Sequence, residues 1–169
     1  MKKITLQNHF FYQNNIMEQT LLIIKPGAVQ RELIGEIINR FERKGLKLCG
    51  LKMIQLTNNV LNEHYAHMQQ QPYFQQIKDS MMVCPVVVCC WEGMDCVRVV
   101  REMTGATNAR NAAAGTLRGD FGISVQENII HTSDSPENAL IELARFFKPD
   151  EIFSYRQNNH NVIYAPTEN

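Results

Sequence analysis

The segment Asn128-Ile129-Ile130-His131-Thr132-Ser133-Asp134-Ser135 puts an ionisable ring at the end of an apolar, strand-like run, just before a helix start. Pro136 follows, so Ser135 can act as N-cap with proline at the first helical position. Alternatively, Asp134 caps and Glu137 closes a capping box. In both arrangements the positive end of a helix lies a few residues from the ring, and such an end suits an anion. Taken alone, the segment is read more simply as a structural histidine satisfied by serine or aspartate. A phosphate-handling site would need several cations that converge on it. Lys25 after the run Thr20–Ile24, Arg101 near the end of a helical stretch, and Arg118 in Thr116-Leu117-Arg118-Gly119-Asp120 are the candidates. Each falls at the end of an element, where functional side chains gather, although each alone is an ordinary surface charge. An arginine fork holds phosphate oxygens in pairs, and lysine adds a point charge. The sequence has no GxxxxGK[ST] loop, no GxGxxG and no protein-kinase catalytic loop. Phosphoryl transfer here would therefore run through a histidine nucleophile.

The elements that must position these residues follow from periodicity. Residues 20–25 read as a buried strand that leaves through Pro26-Gly27. Residues 33–45 carry Ile34, Ile37, Ile38 and Phe41 at helical spacing, with Gly45 as C-cap. A long strand is expected over 46–56, helices over 58–68 and 73–82 on either side of Pro72, and a β-branched buried strand over 84–93. A helix over 94–105 precedes a loop over 106–117 rich in Gly, Asn and Ala. Residues 120–125 read as the last strand and 135–147 as the last helix. The polar tail should wrap the surface. This β-α-β-α-α-β-α-β-α order suits a ferredoxin-like α/β (α+β) domain with helices on one face of its sheet, and a doubly wound parallel sheet is the alternative.

Composition narrows the function classes. The chain has 169 residues, enough for one domain with its own core. Lys plus Arg balance Asp plus Glu at 17 each, which argues against a nucleic-acid module or an anionic membrane surface. No apolar run is long enough to span a bilayer. Residues 1–17 read as a poorly ordered extension, too interrupted by polar residues for a secretory leader, with Met17 a candidate start. The five cysteines form no CxxC pair and suit free, mostly buried thiols in a reducing cytoplasm. Cys89 and Cys90 should point to opposite faces of a core strand. His64 and His67 could share a metal, but a solvated helix face is the simpler expectation.

Taken together, "NIIHTSDS", "GTLRGDF", "GEIINRFERKGLKLCGLKM", His64-Tyr65, "PVVVCCWEG" and "GATN" resemble the nucleoside diphosphate kinase family, from about Glu18 to Tyr164. The resemblance implies a single domain over 18–169, built on a four-stranded antiparallel βαββαβ sheet with helices around it. It implies transfer of the terminal phosphate of a nucleoside triphosphate to a nucleoside diphosphate, by a ping-pong route through a phosphohistidine. Magnesium would ride on the nucleotide phosphates, with no metal ligand from the protein. By the same resemblance His131 accepts the phosphate on Nδ1, Glu142 orients the ring through its other nitrogen, and Ser133 contacts the phosphoryl group. Lys25 and Asn128 face the ribose and phosphate side, and Arg101, Thr107 and Arg118 hold phosphates. Tyr65 lies near the reacting group. Tyr73 and Ile77 sandwich the base, with Val125 nearby. A homo-oligomer is implied, a hexamer rather than a tetramer by the extended tail, with the 106–117 loop packed between subunits.

The chain departs from the family pattern in places. Lys25-Pro26-Gly27-Ala28 stands where Lys-Pro-Asp-Gly is usual, so the aspartate of that turn is missing. Tyr73 replaces phenylalanine, Ala109 and Ala114 replace prolines, and Thr132 stands where Gly or Ala is commoner. A catalytically silent nucleotide-binding scaffold is the alternative function. The complete set of His131, Glu142, Lys25, Arg101 and Arg118 argues against it.

Overall fold

The computed structural model describes residues 17–168. The expected extension over 1–16 lies outside the described residues. Met17 itself opens strand β1 (Met17–Ile24), opposite Met94, so the first strand begins three residues before the expected Thr20 and takes in the last residue of the expected extension.

Strand β1 lies inside the sheet, between β3 (Val86–Met94) and the short β4 (Ile130–Thr132), and β2 (Lys47–Ile54) forms the far edge. The order is β2-β3-β1-β4 and the three pairings are antiparallel. This is the ferredoxin-like arrangement. The unbroken run Leu21–Ile24 has a cause: both faces of the sheet are covered. Leu22 and Ile24 pack with Cys89 and Trp91 under Ile37 and Phe41 of helix α2 (Ile34–Lys44) and Val100 of α5 (Cys96–Thr104). Leu21 and Ile23 pack with Val88 and Cys90 against α3 (Asn58–His64), α4 (Phe74–Met82) and α7 (Pro136–Phe146). The expectation of helices on one face was therefore wrong, and a single-face layer would have left half of each central strand in water. Cys89 and Cys90 divide between the two faces as the strand period requires.

Helix α2 ends at Gly45 with φ 101°, a left-handed cap that costs glycine nothing. Three other expectations need correction. The helix expected over 58–68 stops at His64, and a single 3₁₀ turn at Ala66–Met68 follows. Lys25 leads directly into a short helix α1 (Pro26–Gln30), which the Pro-Gly pair had marked only as a turn. Residues 120–125 are not a strand. They span the end of α6 (Leu117–Phe121) and a coil, because the free edge of β1 is taken by residues 130–132. The tail does follow the surface. Tyr155 Oη donates to the Leu48 carbonyl at 2.9 Å, and Tyr164 Oη accepts from Met94 N at 3.3 Å, just before the final turn after α8 (His160–Ile163).

Candidate active site

His131 sits in the middle residue of β4, paired with Ile23 of β1. Its Nε2 lies 3.1 Å from Glu142 Oε1, and Ser133 Oγ donates to Glu142 Oε2 at 2.6 Å. One carboxylate on α7 thus fixes both the ring and the hydroxyl two residues on, and Nδ1 has no protein partner among the described residues. Ser135 is the N-cap of α7, accepting from Asn138 N at 3.1 Å, with Pro136 at the first helical position. Burial alone would raise the Glu142 pKa. The His131 hydrogen bond and charge, with the Ser133 hydrogen bond, outweigh it and bring the carboxyl down to about 2.

The approach to His131 is set by an unusual backbone. Ile129 has φ 61°, and Ile130 N donates to the Asn128 carbonyl at 2.8 Å, a three-residue turn around a β-branched residue. Ile129 is nevertheless 2% exposed, anchored in the core, and its carbonyl accepts from Lys25 N at 2.9 Å. The turn presents Asn128 to the cavity. Lys25 Nζ donates to Asn128 Oδ1 at 2.6 Å, and Asn128 Nδ2 to the Thr107 carbonyl at 2.9 Å.

The cavity measures about 890 Å³. Lys25, Tyr65, Arg101, Thr107, Arg118, Asn128, His131 and Glu142 line it, and Tyr73, Ile77 and Val125 line it as well. Tyr73 and Val125 are exposed. Ser133 lies behind Glu142 rather than on the wall. Arg118 donates to the carbonyls of Gly105 at 2.9 Å and Ile130 at 2.8 Å, while its Nε is buried without a partner. Arg101 Nη1 reaches the Ser133 carbonyl at 3.4 Å. Burial, then the neighbouring Arg101 charge, lower Arg118 to about 10. Burial, then Arg118, lower Lys25 to about 8, against a raising influence from Glu127. Three cations held together against their own repulsion and desolvation make a site whose stable occupant is a polyanion.

Known proteins resemble this chain over most of its length. A family model described as nucleoside diphosphate kinase matches residues 18–152. The chain belongs to the nucleoside diphosphate kinase family. A nucleoside diphosphate kinase of Parabacteroides distasonis is 62% identical over 152 residues, which are 90% of this chain and 99% of that protein. Nucleoside diphosphate kinase 3 of Homo sapiens is 45% identical over 147 residues, covering 87% of each chain. The structure of a halophilic nucleoside diphosphate kinase from Halobacterium salinarum, in complex with CDP, superposes with a TM-score of 0.86 at 38% identity, over 88% of this chain and 99% of that one. The activity is that of the nucleoside diphosphate kinase family, transfer of a terminal phosphoryl group from a nucleoside triphosphate to a nucleoside diphosphate. A silent scaffold is not favoured.

Nucleoside diphosphate kinases need a divalent cation. The donor set of this cavity does not cage magnesium, which wants several oxygens. Both oxygens of Glu142 are engaged, and Asp134 Oδ1 accepts from Asn138 Nδ2 at 2.6 Å. Ligand atoms of His64, His131 and Glu142 lie within 4.8 Å of one another, but Arg145 Nη1 stands 3.4 Å from His64 Nδ1. No helix of the described residues is long and apolar enough to cross a membrane.

His64 and Arg145 are among the cavity residues that the sequence did not assign to the site. His64, expected on a solvated face, is 5% exposed and packs against His131. Arg145 lines the cavity one helical turn after Glu142, and that spacing was the signal available for it. His67, on the 3₁₀ turn, also lines the cavity.

Proposed function

We propose that His131 carries the phosphoryl group in a ping-pong nucleoside diphosphate kinase reaction. Neutral His131 attacks the γ-phosphorus of a nucleoside triphosphate through Nδ1. The N–P bond forms as the bond to the β-phosphate oxygen breaks, and a nucleoside diphosphate leaves. The terminal oxygen of a second nucleoside diphosphate then attacks phosphorus, and the N–P bond breaks. Glu142, anchored by Ser133, holds Nε2 so that Nδ1 faces the cavity. Arg101, Arg118 and Lys25 meet the charge spread over the transferring phosphate, with Thr107 and Asn128 completing the cradle and Tyr65 beside the reacting group. Magnesium, bound through the nucleotide, would neutralise further phosphate charge. Tyr73, Ile77 and Val125 form an apolar slot at the mouth, and stacking there tolerates any base. The observation that carries this reading is the histidine fixed at Nε2 and facing three cations.

The natural assembly is a hexamer in this reading, and exposed Leu51 and Met53 on the edge strand β2 support association. The five free thiols suit the cytoplasm.

Incubation with labelled ATP and magnesium, without acceptor, tests the mechanism. One acid-labile label per chain is expected in wild type and none in His131→Ala. Acid-stable label, or labelling that survives in His131→Ala, would overturn the covalent route.

A further inference from the structure

Two hydrogen bonds join the lips of the cavity through side chains that the reaction does not use. Ser80 Oγ on α4 donates to Glu127 Oε1 at 2.5 Å, and Gln126 Nε2 donates to the Gln76 carbonyl of the same helix at 3.3 Å. Helix α4 carries Ile77 and starts just after Tyr73, so it bears the base slot. On the opposite lip, Lys25 Nζ donates to the Gln126 carbonyl at 3.2 Å and to Asn128 Oδ1 at 2.6 Å. Residues 126–128 are therefore a strap from the base slot to the phosphate-facing lysine.

Glu127 occupies the middle of that strap, and its second oxygen approaches the turn after β1. A Cβ on Gly27 would lie 3.6 Å from Glu127 Oε2. Glycine at 27, where an aspartate was to be expected from the family pattern, leaves that space to the carboxylate of the strap. An acidic side chain at 27 would instead face Glu127 directly, anion against anion.

We propose that Glu127 is a positioning residue for the nucleotide: it supplies from the 126–128 strap the carboxylate that the Lys25-Pro26-Gly27 turn lacks, and through Ser80 it sets the distance between the base slot and Lys25. This rests on the nucleotide reading given above. The charged groups acting on Lys25 are Arg118 from α6, which disfavours its ammonium form, and Glu127, which favours it. Without the Glu127 charge, Lys25 loses its proton at lower pH. Ser80 and Glu127 are not in contact with the reacting atoms, so their effect falls on binding more than on the chemical step.

Steady-state kinetics from neutral to alkaline pH test this. In Glu127→Gln, KM for the nucleoside diphosphate should rise by about three- to tenfold, the range for exchanging a charge-assisted hydrogen bond for a neutral one. Its alkaline limb of kcat/KM should move to lower pH, while kcat at neutral pH stays within about twofold. Ser80→Ala should raise KM and leave the limb in place. Adding Gly27→Asp to Glu127→Gln should return the limb toward wild type, whereas Gly27→Asp alone should raise KM. An alkaline limb that does not move in Glu127→Gln overturns the proposal, whatever KM does. Labelling of His131 by ATP in the same preparations separates the two levels: its absence from wild type refutes the parent reading, and its presence with an unmoved limb refutes only the role of Glu127.

Discussion

The ring of His64 meets the ring of His131 edge-on, centroids 4.4 Å apart at 75°. His64 Nδ1 also stands 3.7 Å from Glu142 Oε1, its Nε2 is buried without a partner, and Phe146 closes the far side. Burial, then the His131 charge, hold its pKa down to about 3, with Glu142 opposing and Arg145 adding to the decrease. His64 is thus a neutral wall that limits how His131 can rotate.

A pH dependence of stability follows. An unfolded histidine takes a proton near pH 6.5, whereas folded His64 resists until about 3. Between those values the unfolded state binds more protons, so stability falls as pH falls, by at most about 1.4 kcal/mol per pH unit. The depressed Glu142 adds a loss only below about pH 4, where the unfolded carboxyl protonates. Urea unfolding at several pH values from 7 to about 5 should therefore show a shallower decline in His64→Gln than in wild type. Equal slopes would mean that His64 is not kept neutral by its surroundings.

Glu142 and Ser133 should separate in size of effect. Glu142→Gln loses a charge-assisted acceptor and should slow single-turnover labelling of His131 by about 10- to 100-fold. Ser133→Ala removes one neutral donor and should cost about 2- to 10-fold. Rapid-quench measurement checks the order, and a larger loss in Ser133→Ala would reverse the assignment of which group orients the ring.

Arg118 bonds the Gly105 and Ile130 carbonyls and, in the proposed mechanism, also meets phosphate charge, so its variants should show both effects. Arg118→Ala should lower kcat/KM by on the order of 10²-fold. It should also lower thermal stability, because the carbonyls of Gly105 and Ile130 lose their donor. Arg118→Lys should rescue only in part, since one ammonium cannot replace the fork. Normal kinetics with a lowered melting temperature would leave Arg118 as scaffold alone.

The alanines of the 106–117 loop differ in what proline would do. Thr116 N donates to the Ala113 carbonyl at 3.1 Å, and Gly115 has φ 88°, so exposed Ala114 holds the second position of a type II turn, a place that favours proline. Ala109 is the first residue of a 3₁₀ turn and is 4% exposed, so a ring there must find room. Ala114→Pro should stabilise the chain by about 0.4–1 kcal/mol, and Ala109→Pro by no more. Sedimentation across a urea series should show a hexamer that dissociates later in Ala114→Pro. A monomer or dimer in buffer would refute the assembly, and earlier dissociation of the variant would refute the turn argument.

How far the sequence carried depended on whether a signal was local. The N-cap at Ser135, the C-cap at Gly45 and the opposite faces of Cys89 and Cys90 are fixed by neighbours in the chain, and they were legible. Asp120-Phe121-Gly122-Ile123-Ser124-Val125 alternates like a strand, yet a strand also needs an unpaired edge. That edge belongs to Ile130–Thr132, a competition no local pattern reveals. Helix α6 was hidden because its cap, Thr116 accepting from Gly119 N at 3.1 Å, opens only five residues. His64 was misjudged because the three-residue spacing to His67 implied one helix, which in fact ends at His64. The cationic residues were recoverable as a set from the family resemblance, but their mutual repulsion is a property of the folded cavity.

The bond from Lys25 Nζ to Asn128 Oδ1 joins residues 103 apart in the chain, and the pairing of β4 with β1 closes a loop of similar length. Contacts of that span form late, because a long loop must close before they return anything. During synthesis, a chain that has emerged only as far as α5 has its core strands and most of its helices but not the segment that carries His131. On the proposed mechanism, competence to accept phosphate would thus arrive last and serve as a clock for completed folding. In refolding from urea, labelling of His131 should lag behind the return of helical circular dichroism, and the lag measures how long the chain takes to bring its two ends to one strand pair.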